Sequence, residues 1–351
     1  MGSKNLTPRH ESFFPTFFYR TQFKEKYIGL PRGLNLSSQT AIITGANAGL
    51  GFECCKQLLA LHLSHLILAV RSPKKGETAA APLRKQYPKA KIEVWQLDMC
   101  SYKSVQAFAQ RVGQEAARVD IVVLNAGIVK PSYTPAPETG HEESMQVNYL
   151  STVLLALLLL PILRSKRAAG QPPARLTMVN SGLSLTSKLP LNPKKPSSPI
   201  IASFDDDAAF SPTTWYNASK TLMHLFLWKL TDYVSADDVV VNIVDPGYVK
   251  GTEAVANQPK LTAMGAKAFA AMTGRTVQVG ATTYVDAVAV QGKESHGCFL
   301  TSWKAYPFAD FLYEPQGKRL IEHLWEETMT ELEFAKPREI LAGMESRSSR
   351  P

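Results

Sequence analysis

Residues 40–51 of the chain read TAIITGANAGLG, and the organisation of the protein follows from this stretch. It begins with a short apolar run, Ala41–Ile43, which is bounded by Thr and Gly as a buried strand would be. Glycines in the spacing G-x-x-x-G-x-G come next, and the residues after Gly51 place apolar groups at helical spacing. A helix N-terminus presents free N–H groups and partial positive charge, and glycine lets the backbone approach a phosphate closely. The pattern therefore favours a dinucleotide site over an ordinary strand-to-helix turn.

The composition is that of a globular protein. The 351 residues carry a formal net charge of +9 from scattered Lys and Arg, so we predict no nucleic-acid partner. The longest apolar run, Val153–Leu163, is about half as long as a membrane-spanning helix and is interpreted as a buried helix or a subunit interface. The polar segment Met1–Glu11 lacks the apolar core of a signal peptide, and the four cysteines include no C-x-x-C pair. We therefore expect a cytoplasmic protein without disulfides or a metal site.

Apolar runs of strand length alternate with amphipathic helical stretches from residue 40 onward. This alternation predicts a parallel sheet that is covered by helices on both faces. We expect a single-domain α/β protein with a Rossmann-type doubly wound parallel sheet of about seven strands, flanked by helices. The predicted strands are Ala41–Thr44, His65–Val70, Ile92–Leu97, Ile121–Leu124, Arg175–Asn180, Val239–Val244 and Gly297–Thr301.

The remaining segments define the domain organisation. We expect an N-terminal arm over residues 1–38, one catalytic domain over residues 39–335 and a C-terminal tail over residues 336–351. Residues 185–213 are rich in Pro, Ser and Lys and then acidic, and residues 250–275 form a second insertion of small and apolar residues. Long loops inside a compact domain are usually functional or disordered. We therefore expect these two insertions to cover a substrate.

Within the arm, the segment Phe13–Tyr27 is both aromatic and basic. One interpretation is a helical arm that packs over the domain. The other is an amphipathic segment that contacts a membrane surface. Pro15 interrupts the helical pattern, which favours packing over the domain.

The end of the second predicted strand indicates which dinucleotide is bound. Arg71 lies about twenty residues after Gly51, where a carboxylate would bind the ribose hydroxyls of NAD. Arg71, with Lys74 nearby, suits instead the additional 2′-phosphate of NADP. Asp98, which ends the third strand, is expected either to bind the adenine amine or to cap the next helix. Asn125–Gly127 is expected to form a tight turn beside the cofactor.

A candidate catalytic pair lies at the start of a later helix. Tyr216 and Lys220 are four residues apart and share one helix face. A free tyrosine loses its proton only near pH 10, and an adjacent ammonium group favours the phenolate and lowers the pKa. Tyr216 could then exchange a proton as a general acid/base. The alternative is a surface Tyr and Lys of the kind found on many helices.

The motifs taken together resemble a known family. From about Thr40 to Ser302 the chain is similar to the short-chain dehydrogenases/reductases, and most of all to their retinol-dehydrogenase-like branch in filamentous fungi. The matching motifs are Thr44-Gly45-x-x-x-Gly49-x-Gly51, Asn125-Ala126-Gly127, Asn148, Ser181, Tyr216-x-x-x-Lys220 and the turn Asp245–Thr252.

The resemblance implies a role for each matching residue. Tyr216 is the catalytic acid/base, and Lys220 lowers its pKa and binds the nicotinamide ribose. Ser181 hydrogen-bonds the substrate oxygen, and Asn148 supports a water relay to Lys220 or bridges a helix distortion. His141 has no role in this scheme and is interpreted as structural. The residues implied to bind the cofactor are Gly45, Asn47, Gly49, Leu50, Gly51, Arg71, Lys74, Asp98, Asn125, Gly127, Tyr216, Lys220, Val249 and Thr252.

The activity implied is NADP(H)-dependent hydride transfer between a carbonyl and an alcohol on a hydrophobic small molecule, as a step in fungal secondary-metabolite biosynthesis. One alternative is a retinol- or lipid-type alcohol dehydrogenase of general metabolism. An alternative of another class is an NADP-sensing regulator that has lost catalysis. The apolar stretches Leu154–Leu163 and Leu222–Leu230 match the helices that pair subunits in the family, so a homodimer is also compatible with the sequence.

Overall fold

The computed structural model describes residues 2–186, 189, 199–250 and 272–345. Eight strands form one sheet in the order β3-β2-β1-β4-β5-β6-β7-β8. The first seven are parallel, and β8 runs antiparallel to β7. The strands are β1 (Thr40–Thr44), β2 (His65–Val70), β3 (Lys91–Gln96), β4 (Ile121–Leu124), β5 (Ala174–Val179), β6 (Val239–Asp245), β7 (Phe299–Thr301) and β8 (Lys304–Tyr306).

Helices cover both faces of this sheet. The strand order reverses between β1 and β4, and ligands of such sheets bind at this switch point, beyond the carboxyl ends of the strands. The predicted doubly wound fold is confirmed, and β8 is an additional strand. The helices are α1 (Gly49–Ala60), α2 (Pro73–Gln86), α3 (Tyr102–Glu115), α4 (Glu143–Ser165), α5 (Pro212–Leu230), α6 (Val277–Val285), α7 (Pro315–Glu331) and α8 (Pro337–Glu345).

The core has two parts, one on each face of the sheet. Successive strand residues point to opposite faces, so Ile42 joins one apolar cluster while Ala41 and Ile43 join the other. All three side chains are fully buried. Burial on both faces explains why the parallel strands are continuous apolar runs rather than alternating ones.

Helix α4 contains the long apolar run. By length and composition it is the one helix of the described residues that could cross a membrane, but 83% of its most apolar window is buried inside the fold. Helix α8 packs along α4, and α7 packs along α5. The apolar faces considered for dimerisation are therefore covered within one chain, and α4 is a buried core helix.

The N-terminal arm packs against the domain. Its first turn is held at the sheet edge, where the Ser3 amide donates to the Gly297 carbonyl at 2.9 Å. Two π-helical turns follow, Phe13–Phe17 and Arg20–Lys24. Arg20, the first residue of the second turn, pairs with Glu11, which precedes the first turn, at 2.8 Å. These contacts agree with the packing interpretation of the arm.

The C-terminal part of the chain reaches the loop between β5 and α5 through helix α7. Glu327 on α7 accepts the amides of Ile200 and Ile201 at 2.8 and 2.9 Å. Helix α8 lies in the segment expected to be a tail, and its Leu341 and Met344 are buried. The described part of the loop around residues 200–201 is thus attached to α7.

A charged cluster holds this loop against the start of α4. His141 contacts Asp205 through Nδ1 at 2.8 Å and Glu331 through Nε2 at 3.3 Å. Burial opposes the charged imidazole, but the two carboxylates dominate and raise the pKa of His141 to about 9. The imidazolium therefore bridges the loop and the C-terminal helix, which agrees with a structural role for His141.

We expect this cluster to make stability pH-dependent. Because the pKa is raised in the folded state, the contribution is full below about pH 6.5 and is lost as pH rises through about 9. The contribution is on the order of 2 kcal/mol. Thermal denaturation should show His141→Gln lowering Tm at pH 6 but much less at pH 10. His10→Gln, which changes an exposed histidine, serves as the control. An equal loss of Tm at both pH values would contradict the charge assignment.

Candidate active site

The glycine turn after β1 leaves the start of α1 open. Gly45 and Gly49 have φ angles of +64° and +56°, a conformation that favours glycine. No side chain caps the helix at Ala48, and its first turn contains no acidic residue. Among the residues that the structure describes, no atom outside the turn and the helix backbone approaches within 4 Å of a Cβ built on Gly49. The orphan N–H groups and partial positive charge of α1 are therefore available to a phosphate.

Gly51 is required by packing of the turn on β4. A Cβ at Gly51 would lie 2.6 Å from Asn125 Nδ2 and 2.7 Å from the Gly45 carbonyl oxygen. Asn125 Nδ2 donates to the Thr44 carbonyl at 2.9 Å, and the Ala126 amide donates to Thr44 Oγ1 at 2.9 Å. In this structure the amide of Asn125 thus braces the glycine turn.

Basic side chains follow β2 at the same edge of the sheet. Arg71, Lys74 and Lys75 are all exposed, and none of them forms an ion pair within the described ranges. Burial raises the pKa of the Cys100 thiol to about 11, and the charge of Arg71 is among those that oppose this rise. Arg71 therefore lies near the residues that follow β3.

Asp98 follows β3 but does not cap the next helix, α3. Its Oδ1 accepts the Cys100 amide at 2.9 Å, and its own amide donates to Ser104 Oγ at 2.9 Å. The cap of α3 is Ser101, whose hydroxyl accepts the Ser104 amide at 3.2 Å. The capping alternative for Asp98 is therefore wrong, and binding of adenine remains a prediction.

The candidate catalytic residues meet where β5, α4 and α5 converge. Ser181 follows β5, and its side chain hydrogen-bonds Tyr216. Lys220 Nζ donates to the Val179 carbonyl at 2.9 Å and lies 5.9 Å from the centroid of the Tyr216 ring. A Cβ on Gly127 would be 3.4 Å from Lys220 Nζ, so the turn after β4 also adjoins this group.

Asn148 lies in the π-helical turn Gln146–Ser151 of α4. Its Oδ1 accepts the Ile128 amide at 2.8 Å, and its Nδ2 donates to the Ile128 carbonyl at 2.9 Å and to Ser219 Oγ at 3.2 Å. The side chain therefore joins a helix distortion, the end of β4 and α5. A relay of water to Lys220 remains a prediction.

Burial controls the protonation of the catalytic pair. Burial raises the pKa of Tyr216 to about 12, while the hydrogen bond from Ser181 opposes the rise and the charge of Asp245 adds to it. Burial lowers the pKa of Lys220 to about 8. The expectation that Lys220 brings the pKa of Tyr216 below its usual value is not met in this structure, because Nζ donates to Val179 and desolvation of the phenolate dominates.

Asp245, at the end of β6, was not predicted to have a role. It is 3% exposed, and its Oδ1 accepts the Gly247 amide at 3.0 Å. Its Oδ2 accepts the hydroxyl of Thr301 on β7 at 3.0 Å, and the backbone of Gly182 also hydrogen-bonds the carboxylate. Asp245 thus connects the segments at the carboxyl ends of β5, β6 and β7, close enough to Tyr216 for its charge to act on that residue. Only the fold brings these partners together, so no pattern in the sequence predicts a role for Asp245.

The cofactor-side residues expected after Gly247 are partly described. Val249 is buried and pairs with Arg275 in an isolated parallel bridge. A Cβ on Gly280 would lie 2.7 Å from Val249 Cγ2 and 2.8 Å from Leu50 Cδ2, so this segment closes onto α1. Asn47, in the glycine turn, is half-buried. Thr252 and most of the insertion 250–275 lie outside the described residues.

The structure also offers an unpaired donor at the site. Nδ2 of Asn180, beside Ser181, is buried and has no hydrogen-bond partner among the described residues. The open helix N-terminus, the basic side chains after β2 and this orphan donor fit a phosphorylated dinucleotide with an amide-bearing ring. Within the described ranges, no group of three or more His, Cys, Asp or Glu side chains could hold a metal ion.

Comparisons with known proteins agree with this geometry. The family profile described as short chain dehydrogenase matches residues 39–175. The short chain dehydrogenase/reductase mfmJ of Annulohypoxylon moriforme is 51% identical over 98% of this chain and 99% of its own length. The short chain dehydrogenase virL of Hypocrea virens is 45% identical over 87% of this chain and 88% of its own length.

Solved structures share the fold. The RhlG/NADP active-site complex of Pseudomonas aeruginosa aligns with a TM-score of 0.54 and 22% identity over 80% of this chain and 98% of that one. Levodione reductase aligns with a TM-score of 0.59 and 16% identity over 80% and 99% of the two chains. The chain belongs to the short-chain dehydrogenase/reductase family and is an oxidoreductase of that family. The predicted resemblance to the family and to its fungal members is confirmed.

Proposed function

We propose that this protein is an NADP(H)-dependent oxidoreductase that reduces a carbonyl group on a hydrophobic small molecule. The observation that carries the proposal is the convergence of Ser181, Tyr216 and Lys220 beside the glycine turn that opens α1. Each feature alone has a structural explanation. Their common position at the carboxyl edge of the sheet is what a hydride-transfer site requires.

The proposed cofactor is NADP(H) rather than NAD(H). The N-terminus of α1 would hold the pyrophosphate, and Lys220 would hold the nicotinamide ribose. Arg71, with Lys74 and Lys75, would hold the 2′-phosphate, since a guanidinium suits phosphate and these residues lack other ion-pair partners within the described ranges. The RhlG structure, whose description names NADP, supports this proposal by likeness of fold.

The chain's own residues supply proton transfer and charge stabilisation. The chemistry that NADP(H) supplies when bound is hydride transfer at the nicotinamide. Ser181 and Tyr216 donate hydrogen bonds to the substrate oxygen, where negative charge develops, and Tyr216 transfers its phenolic proton to that oxygen. Lys220, whose ammonium donates to the Val179 carbonyl, would supply positive charge near the phenolate that this proton transfer leaves.

At neutral pH Tyr216 holds the proton that reduction of a carbonyl consumes. A phenol with a pKa of about 12 is protonated at neutral pH and is ready to donate. Oxidation of an alcohol would require the phenolate first, at a cost that burial increases. The fungal relatives support placing this reduction in fungal secondary metabolism, and the cytoplasm is the location we propose.

The test is NADPH oxidation by the purified protein with a panel of aromatic and aliphatic ketones and aldehydes. We expect turnover with hydrophobic carbonyls and weaker turnover with NADH. Measured NADPH binding without turnover across the whole panel would favour the regulator alternative. Turnover confined to retinoid or long-chain lipid aldehydes would favour the general-metabolism alternative.

A further inference from the structure

A buried histidine on α5 lies one helical turn beyond Lys220. His224 and Lys220 are four residues apart, so the two side chains lie on the same face of the helix. The side chain of His224 is fully buried, and its ring centroid lies 4.7 Å from that of Phe299 and 5.1 Å from that of Phe308. A polar group in such apolar surroundings is costly unless it is hydrogen-bonded, and no step of the proposed reduction uses His224.

The hydrogen bonds of His224 define which ring nitrogen carries the proton. Nδ1 accepts the Ala309 amide at 3.4 Å, so this nitrogen is unprotonated. Burial lowers the pKa of His224 to about 3, so the ring is neutral at physiological pH. The proton of the neutral imidazole is therefore on Nε2, which donates to Ser184 Oγ at 3.0 Å.

Ser184 connects His224 to the backbone of Ser181. Because Ser184 Oγ accepts from His224, its own hydroxyl proton is directed to the Ser181 carbonyl, at 2.6 Å. The hydroxyl of Thr221 on α5 also donates to the Ser184 carbonyl at 2.8 Å. A directional series of hydrogen bonds thus runs from the Ala309 amide through His224 and Ser184 to Ser181.

This series holds the turn that orients the Ser181 hydroxyl. Ser181 precedes the 3₁₀ turn Gly182–Leu185, and its Oγ accepts the Leu183 amide at 3.2 Å. Since the amide occupies a lone pair of the oxygen, the hydroxyl proton is left to donate to Tyr216 or to a substrate oxygen. Ser184 belongs to the same turn as the Leu183 amide, so the bond at Ser184 also fixes the serine hydroxyl. Misplacement of such a group by a fraction of an ångström slows a reaction.

We propose that His224, acting through Ser184, is a positioning residue for Ser181 in the carbonyl reduction. This inference rests on the proposed function and adds to it a residue that acts only through the catalytic serine. A histidine with a merely structural role would also contribute to stability, so a loss of Tm does not distinguish the two roles. They differ in whether the effect on kcat requires the Ser181 hydroxyl.

The first test measures the kinetics of tetralone reduction by NADPH. His224→Leu keeps an apolar side chain in the apolar site but removes both ring hydrogen bonds. We expect kcat to fall about tenfold while KM for NADPH stays within about threefold of wild type. His224→Gln, whose Nε2 again donates to Ser184, should restore kcat to within about threefold of wild type. In a Ser181→Ala background, His224→Leu should cause no further loss, and a further loss of about tenfold there would overturn the proposal.

Ser295→Ala is the matched control for Ser184→Ala. Ser295 is also buried, donates to the carbonyl three residues earlier, that of Gly292, at 2.8 Å, and accepts Asn242 Nδ2 at 3.2 Å. It precedes β7 and so lies at the amino end of the sheet. Ser184→Ala should lower kcat about tenfold, and its combination with His224→Leu should be no worse than either change alone. Ser295→Ala should lower Tm comparably and keep kcat near wild type. An equal loss of kcat in Ser295→Ala would assign the effect to general destabilisation and refute the proposal.

The second test does not depend on turnover. The Leu183 amide donates to Ser181 Oγ, so its rate of hydrogen exchange, read by NMR on the full-length protein without ligands, reports the position of this hydroxyl. We expect exchange about tenfold faster in His224→Leu and Ser184→Ala, and unchanged in His224→Gln and Ser295→Ala. Unchanged exchange in His224→Leu, or faster exchange with an unchanged kcat, would overturn the proposal. Faster exchange in a protein whose wild type reduces no ketone would leave the placement of Ser181 by His224 standing and refute only the proposed activity.

Discussion

Tyr216→Phe is expected to lower kcat for ketone reduction by about 10³-fold while NADPH still binds. The substitution removes one hydroxyl, the proton donor, from a ring whose hydroxyl is bonded to Ser181. Without it the alkoxide that forms on the substrate has no adjacent acid, and only the Ser181 hydroxyl remains to stabilise it. Fluorescence titration with NADPH should give a Kd within about threefold of wild type, because the glycine turn and Arg71 lie at other strands.

The matched control is Tyr133→Phe, which also removes one phenolic hydroxyl. That hydroxyl bonds the Asp205 carbonyl at 3.2 Å, away from Ser181 and Lys220. The control should keep kcat close to wild type. Because the pKa of Tyr216 is about 12, its proton is present throughout the neutral range. Loss of this proton should therefore not reduce kcat at any pH up to about 10. Retained activity of Tyr216→Phe would show that another group, or water, supplies the proton.

The features predictable from the sequence are those that depend on short stretches of chain. Most strands of the central sheet are largely apolar runs, so the sequence predicts seven strands with ends within two residues of those observed, as for β3 and β7. Strand β8 has only three residues, and Lys304 and Ala305 on it are exposed, so no apolar run marks it. The C-terminal helix α8 begins at Pro337 and buries only a narrow apolar face, which polar neighbours obscure in the sequence.

Contacts between distant segments account for what the sequence did not reveal at the site. Gln22 and Tyr248 are far apart in the chain, and nothing in the aromatic arm indicates where it would pack. Asp245 lies inside a turn that the family resemblance identified, yet its partners come from β5 and β7. The pKa of Tyr216 also depends on how far its ring is buried, and the spacing of Tyr216 and Lys220 does not predict that burial.

Arg71→Asp is expected to reverse the cofactor preference. The substitution removes the guanidinium proposed to hold the 2′-phosphate and places a carboxylate at the position where NAD-dependent proteins bind the ribose hydroxyls. A lost charged hydrogen bond together with repulsion between carboxylate and phosphate should lower the ratio of kcat/KM for NADPH over NADH by about 10²- to 10³-fold. Most of the change should be in KM for NADPH, and kcat should vary little because Tyr216 and Ser181 are untouched.

The control for this substitution distinguishes a direct contact between Arg71 and the 2′-phosphate from long-range attraction of NADPH by the positive charge of the protein. Lys89→Asp makes a comparable charge change at an exposed residue before the amino end of β3, whereas Arg71 follows the carboxyl end of the neighbouring parallel strand β2. If long-range attraction alone favoured NADPH, both variants would lower its kcat/KM similarly, and added salt would remove the difference. A specific contact predicts that only Arg71→Asp changes the preference and that the change persists at high ionic strength. An unchanged NADPH/NADH ratio in Arg71→Asp would mean that other residues hold the phosphate, with Lys74 and Lys75 the next to be tested.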